Sequence, residues 1–317
     1  MSWNNDLFLD HKFLAGKAEA RSVREGLGDG LIEAGKHDEA VVVLTADLME
    51  STAVDKFAGT FPERFIDVGI AEQNLVSVAS GLAALGKKPF ITSYAVFSPG
   101  RNWEQIRTNV CYNNQPVRIV GTHSGLNVGA DGGTHQMLED IALMRVLPNM
   151  TVLSPCDYWQ AKHMTLVMAK INAPFYLRLP REKMPVITSE ESPFEIGRAQ
   201  IMWRDDGAKT AIFATGSMVA VALQAVAEKK MPGGAVVVNL HTIKPLDEKT
   251  ILAVVENVDR VITIEEHQKA GGMGSAIAEL LVEKMPKSMQ IIGVDDVFGQ
   301  SGKMEELWSG YGLSVGI

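Results

Sequence analysis

Residues 64–94, RFIDVGIAEQNLVSVASGLAALGKKPFITSY, hold a strand-forming run, a glycine, a long apolar stretch that opens with a glutamate, a second glycine and another strand-forming run. That order reads as strand, helix and parallel strand, because adjacent parallel strands need a crossover of helical length. The alternation extends in both directions. Strands are expected over 41–44, 64–68, 89–94, 117–122, 151–153 and 174–179, with helices over 15–35, 73–85, 101–113, 137–146 and 158–171. The polar stretch 187–195, which contains Pro193, reads as a linker. Beyond it, strands over 210–214, 235–240, 261–265 and 290–294 alternate with helices over 219–229, 248–256 and 275–285. The expected fold class is α/β, with two domains over 1–186 and 196–317, each a mainly parallel sheet flanked by helices.

A chain of 317 residues with 46% hydrophobic content can bury two ordinary cores. Thirty basic against 38 acidic residues give a formal charge of -8, which argues against a nucleic-acid or anionic-membrane partner. The first residues lack a charged-then-apolar leader, and no apolar run approaches the roughly 18 residues that span a bilayer. A cytoplasmic location is expected. Cys111 and Cys156 are far apart and lack metal-ligand spacing, so neither a disulfide framework nor a metal site is expected on this chain.

In open parallel sheets, ligands sit at the carboxyl ends of the strands, so the residues after each strand carry the reading. Glu72 enters the first turn of the 73–85 helix, whose Leu75, Val76, Val78, Ala79, Leu82, Ala83 and Leu85 make it nearly all apolar, so Glu72 is expected to start inside a buried region. A carboxyl buried in a cleft can be held neutral and then donates a hydrogen bond. After the 117–122 strand comes a loop from His123 to Gln136, in which Gly125, Gly129, Gly132 and Gly133 surround Asp131 and precede His135. Glycines in such a loop suit close approach of backbone to a ligand. Tyr94 and Phe97 follow another strand and can stack on a flat heterocycle. Gly28-Asp29-Gly30 falls in a helical stretch and is read as incidental, and Gly271 to Ser275 as tight strand-to-helix packing.

Together these residues resemble a known family. Thr45-Ala46-Asp47-Leu48, Gly69-Ile70-Ala71-Glu72, the aromatic pair and His123 to Asp131-Gly132-Gly133-Thr134-His135-Gln136 are similar to the pyrimidine-binding domain of transketolases. Ala214-Thr215-Gly216-Ser217 and Glu265-Glu266-His267 are similar to the family's C-terminal domain. The resemblance implies a thiamine diphosphate enzyme that transfers a two-carbon ketol unit between phosphosugars. It implies that Glu72 hydrogen-bonds N1′ of the aminopyrimidine, that Tyr94 and Phe97 flank that ring and that Asp47 stands near the cofactor. It assigns His135 and Asp131 to the sugar hydroxyls, and His123, Arg21, Ser51 and Arg181 to the substrate phosphate, with Glu72, His135 and His123 as the catalytic set.

Gly28-Asp29-Gly30 resembles the start of the family's diphosphate–magnesium motif, but the asparagine that completes it is missing, since none occurs between Asn5 and Asn74. A third aromatic of the family falls near Gly100. The resemblance therefore implies one half of a split enzyme, with Mg2+ and the diphosphate on an N-terminal partner subunit, self-association and an α2β2 assembly. The alternatives are a 1-deoxyxylulose-5-phosphate synthase-like enzyme, the β subunit of a 2-oxo acid dehydrogenase, a nucleotide-binding α/β protein and a non-catalytic scaffold subunit.

Overall fold

The computed structural model describes residues 2–228 and 232–313. Before the linker the strands are β1 (Ser2–Trp3), β2 (Ala20–Ser22), β3 (Val41–Thr45), β4 (Phe65–Asp67), β5 (Lys88–Tyr94), β6 (Arg118–Thr122), β7 (Thr151–Leu153), β8 (Phe175–Arg178) and β9 (Lys183–Pro185). After it come β10 (Gln200–Arg204), β11 (Thr210–Ala214), β12 (Ala235–Asn239), β13 (Thr242–Lys244), β14 (Arg260–Gln268) and β15 (Ser288–Val294). The first sheet runs β13-β7-β8-β6-β5-β3-β4 and the second β1-β10-β12-β11-β14-β15, while β2 and β9 form a separate antiparallel ribbon. Both sheets are parallel through their centres, as the strand–helix alternation requires.

Alternation along each strand feeds different cores. On β3, Val41 and Val43 face the layer built with the helices Val23–His37 and Tyr158–Lys170, whereas Val42 and Leu44 face the helix Glu72–Ala84. On β11, Ala211 and Phe213 join that same inner layer, and Ile212 and Ala214 face outward with the helix Met218–Ala227. One hydrophobic cluster is therefore shared by both sheets, so burial itself holds the two domains in register.

The domains also exchange strands. β1, at the start of the chain, pairs antiparallel with β10 of the second sheet, and β13 pairs antiparallel with β7 of the first. The 187–195 stretch is not a loose tether. Asp157, fully buried, accepts from the Ile187 and Thr188 amides at 2.7 and 2.5 Å, from Thr188 Oγ1 at 2.7 Å and from the Gln160 amide at 3.0 Å.

Several expected helices differ. The 15–35 helix is shortened to Val23–His37, because Ala20–Ser22 is drawn into the β2–β9 ribbon. The 101–113 stretch forms one α-turn, Trp103–Gln105, and then a π-helix, Ile106–Tyr112, within which the Asn109 carbonyl accepts from Ser80 Oγ at 2.9 Å. The 137–146 helix shrinks to Asp140–Arg145, since Met137 bridges Ser124 and its carbonyl takes the Gly125 amide. The 275–285 helix begins earlier, at Met273, where Glu265 accepts from the Met273 and Gly274 amides at 2.7 Å each. The 219–229 helix is Met218–Ala227, and Lys229 lies outside the described residues. Among the described residues no helix is long and apolar enough to cross a membrane.

An Asp157→Ala substitution removes four bonds from one buried carboxylate and leaves the donors of Ile187 and Thr188 unsatisfied. It is expected to destabilise the chain by about 3 kcal/mol, with Asp157→Asn intermediate. Denaturant midpoints check this, and equal midpoints for Asp157→Ala and the parent chain would contradict the role given to Asp157.

Candidate active site

The carboxyl ends of β3, β5, β6 and β8 deliver Asp47, Tyr94, His123 and Arg181 to one face of the first sheet. Asp47 and His123 both have positive φ, 59° and 55°, a costly conformation for side-chain-bearing residues that concentrates at functional sites. The turn at His123 lays its ring against Tyr94, with centroids 3.7 Å apart and planes 25° apart. Phe97 lies nearly parallel to Tyr94, 6.0 Å and 14° away, and His135 stands edge-on to both rings, 6.3 Å from Tyr94 and 5.7 Å from Phe97. The two histidines at the ends of the glycine loop thus converge on the aromatic pair. His135 Nδ1 is engaged by Thr134 Oγ1 at 3.0 Å, and His123 Nδ1 by Thr122 Oγ1 at 3.0 Å.

Glu72 is 2% exposed at the first turn of its helix. The buried start expected for this helix is present, although its opposite side is open: Ser77 and Gly81 face outward, and Leu85, just past its end, is 83% exposed. The Glu72 carboxyl does not stand alone, because Arg101 Nη1 lies 3.1 Å from its Oε2. Asn102, fully buried, donates to the Glu72 carbonyl at 2.9 Å and to Ser98 Oγ at 3.1 Å, fixing the 98–102 turn to the helix start.

A cationic group adjoins the rings. Arg24 donates through Nη1 to the Ser51 carbonyl and through Nη2 to the Arg181 carbonyl at 2.8 Å, and its Nε is buried without a partner. Burial works against the Arg24 charge and lowers its pKa. Arg181 Nη1 donates to the Val128 carbonyl at 2.5 Å and lies 3.7 Å from Asp131 Oδ1. Burial first, and then the Arg24 and Arg181 charges and His135, push His123 down to about 3. A buried imidazole depressed by the Arg24 and Arg181 charges, with an Arg24 Nε that has no partner, marks a place suited to an anion.

Arg21 does not join this group. Its guanidinium lies 3.3 Å over the Tyr158 ring, whose hydroxyl donates to Asp29 Oδ2 at 2.6 Å. Arg21 lies in β2 and Arg24 in the first turn of the helix that follows, and of the two it is Arg24 that bonds to the Ser51 and Arg181 carbonyls. Asp47 is exposed, and its amide takes Asp67 Oδ1 at 3.0 Å. Gly28-Asp29-Gly30 lies within the helix Val23–His37, where a Cβ at Gly28 would stand 2.5 Å from the Ala53 carbonyl and one at Gly30 2.8 Å from Thr165 Cβ. These glycines serve helix packing and present no diphosphate loop.

The glycines of the 123–136 loop also have a different partner from the ligand expected. A Cβ at Gly125 would stand 2.6 Å from Glu266 Cδ, one at Gly132 2.6 Å from Ser301 Oγ and one at Gly133 2.6 Å from the Gly299 carbonyl, all in the second domain. Glu266 is buried, and burial raises its pKa; its carboxyl accepts from Ser217 Oγ at 2.6 Å, Trp308 Nε1 at 2.8 Å and the Asn127 amide at 2.5 Å. The close approach is of loop to domain, and it leaves Asp131 and His135 on the outer side.

Residues 19–186 match the family model for the transketolase pyrimidine binding domain, and residues 197–316 that for the transketolase C-terminal domain. A protein of Methanocaldococcus jannaschii described as "Putative transketolase C-terminal section" is 45% identical over 297 residues, 92% of this chain and 92% of that protein. A 6-deoxy-6-sulfo-D-fructose transketolase subunit of Clostridium sp. strain MSTE9 is 39% identical over 300 residues, 94% of this chain and 92% of its own length. Among solved structures, one described as a split gene transketolase, inactive beta4 tetramer, superposes with a TM-score of 0.83 at 40% identity, covering 93% of this chain and 95% of that one.

The depressed His123 pKa has a fixed sign. Unfolded histidine takes up its proton near pH 6.5 and folded His123 near 3, so its contribution to stability is complete above about 6.5 and is lost as pH falls towards 3. Imidazole carbon and nitrogen resonances are expected to keep His123 neutral from pH 8 to 5, and a midpoint near 6.5 would contradict this electrostatic account.

Proposed function

The chain belongs to the transketolase family, and from that premise we propose that it is the subunit of a split transketolase that holds the pyrimidine end of thiamine diphosphate and the phosphosugar substrates. The observation that carries the proposal is the convergence of buried Glu72 with Tyr94, Phe97, His123 and His135 at the carboxyl ends of neighbouring strands.

The residues present suit the pyrimidine end of the cofactor. Tyr94 and Phe97 offer nearly parallel, half-buried faces, and Glu72 offers a carboxyl beside them. Bound there, the cofactor supplies the nucleophilic carbon and the electron sink for carbon–carbon bond cleavage and formation. Glu72 hydrogen-bonds the ring nitrogen N1′ and governs its proton. His135 and Asp131 hydrogen-bond the sugar hydroxyls, and neutral His123 belongs to the distal oxyanion site without adding a charge. Arg24, Ser51 and Arg181 take the distal oxyanion of the sugar, the guanidinium forks pairing with its oxygens. A relative named for a sulfonated sugar supports an anion-reading site of this kind, since sulfonate and phosphate share a tetrahedral oxygen face. The reaction is transfer of a two-carbon ketol unit from a ketose phosphate to an aldose phosphate.

Asp29 sits inside a helix, which supports a reading in which another chain holds the diphosphate and Mg2+. A cytoplasmic N-terminal subunit is that partner, in an α2β2 assembly, and a relative described as an inactive beta4 tetramer supports self-association of this chain without turnover.

In the complex with the N-terminal subunit, Glu72→Gln is expected to lower turnover at least about a hundredfold while leaving assembly intact. Arg24→Ala is expected to raise KM for phosphosugars about tenfold or more and to change little with an unphosphorylated ketose. Coupled assays of ketol transfer check both, with pyruvate plus glyceraldehyde 3-phosphate as the arm for a deoxyxylulose-phosphate synthase. A Glu72→Gln complex that retains full turnover would overturn the proposal.

A further inference from the structure

Arg101 occupies the contacts that a flat heterocycle would need. Its guanidinium pairs with Glu72 Oε2 at 3.1 Å, and its central carbon stands 5.0 Å from the Phe97 ring centroid. A guanidinium is planar, carries N–H groups in its plane and rests on aromatic faces. An aminopyrimidine shares those properties. The carboxyl and the ring thus receive from the chain itself the same pair of contacts, one in-plane hydrogen bond and one face contact.

The two ends of this residue differ in freedom. Its backbone is held, because Asn102 is fully buried and ties the turn to both the Glu72 carbonyl and Ser98 Oγ. Its side chain is 53% exposed, against 2% for Glu72. The guanidinium can swing into solvent by rotating its own long side chain while Glu72 and Asn102 stay in place. Leaving the Glu72 carboxylate buried without a partner is unfavourable, so in the absence of a ligand the pair is the favoured arrangement.

We propose that Arg101 is a positioning residue that stands in for the aminopyrimidine, pairing with Glu72 and covering Phe97 in the cofactor-free subunit and turning outward when the cofactor enters. The inference rests on the reading of Glu72, Tyr94 and Phe97 as the pyrimidine end of the site. Because one carboxyl oxygen and one ring face cannot serve both groups, the pairing competes with the cofactor. The apparent affinity is the intrinsic affinity reduced by the fraction of chains in which Arg101 is turned out, so a pair closed nine-tenths of the time weakens it about tenfold.

The test is calorimetric titration of thiamine diphosphate with Mg2+ into the full complex of this chain and the N-terminal subunit. Arg101→Ala is expected to bind the cofactor about five- to tenfold more tightly than the parent complex. Arg101→Lys, which keeps a charge for Glu72 but lacks the planar fork, is expected to fall between the two. In the cofactor-free chain, Arg101→Ala is expected to lower the denaturation midpoint, and Glu72→Gln to restore part of that loss. Unchanged or weaker binding by Arg101→Ala, with normal binding by the parent, overturns the stand-in role alone. Absence of binding by the parent complex overturns the reading of the cofactor site and this inference with it.

Discussion

The packing of one loop against the second domain sets the geometry of the site, and the Glu266 carboxyl is its anchor. That carboxyl takes the Asn127 amide from the loop, Ser217 from the start of one helix and Trp308 from another. Its carbonyl takes Arg178 Nη2 at 2.7 Å, and Arg178 Nε in turn holds the buried Asp140 at 2.8 Å. Glu266, Arg178 and Asp140 are each buried and paired, and breaking the pairing by moving the domains apart would leave charges uncompensated, which favours one arrangement of the domains. Gly125, Gly132 and Gly133 then let the loop lie flat on the second domain, and His123 and His135 at its two ends are left facing Tyr94 and Phe97. The second domain thus backs the loop that carries His123 and His135, while the site residues come from the first.

The parallel sheets were legible in the sequence because their strands are buried on both faces, as in Val41–Thr45, and because glycines mark the turns. The segments that carry chemistry were legible for a related reason: Glu72, His123, Asp131 and His135 follow strand ends, where open sheets bind ligands. The edge strands β1 and β13 were not legible, since each is short and is specified by a partner far along the chain. The glycine loop was read as a place of close approach, and Gly125, Gly132 and Gly133 are where it closes on the second domain. Sequence gives the need for a missing Cβ but not the identity of the neighbour. Arg24 and Arg101 escaped because an arginine at a helix start or after a turn is ordinary, and only the fold shows which of two neighbours points inward.

The site is an open half. Tyr94, Phe97 and His135 are only part-buried, and Asp47 and Asp131 are exposed. The 440 Å³ cavity lined by Phe13, Leu14, Pro185 and Gln224 lies away from them, while Arg24 borders a 230 Å³ cavity shared with Glu25, Glu50 and Lys56. A surface that gathers an acid, stacked rings and a cationic group without enclosing them suits a centre completed by another chain.

The central claim is that this chain contributes one half of a shared thiamine diphosphate site. The most direct measurement is the rate of ketol transfer from xylulose 5-phosphate to ribose 5-phosphate, with Mg2+ and thiamine diphosphate, by this chain alone, by the N-terminal subunit alone and by their mixture. Turnover is expected in the mixture and in neither subunit by itself. Turnover by this chain alone, or silence from a stably formed complex offered several ketose and aldose phosphates, would contradict it.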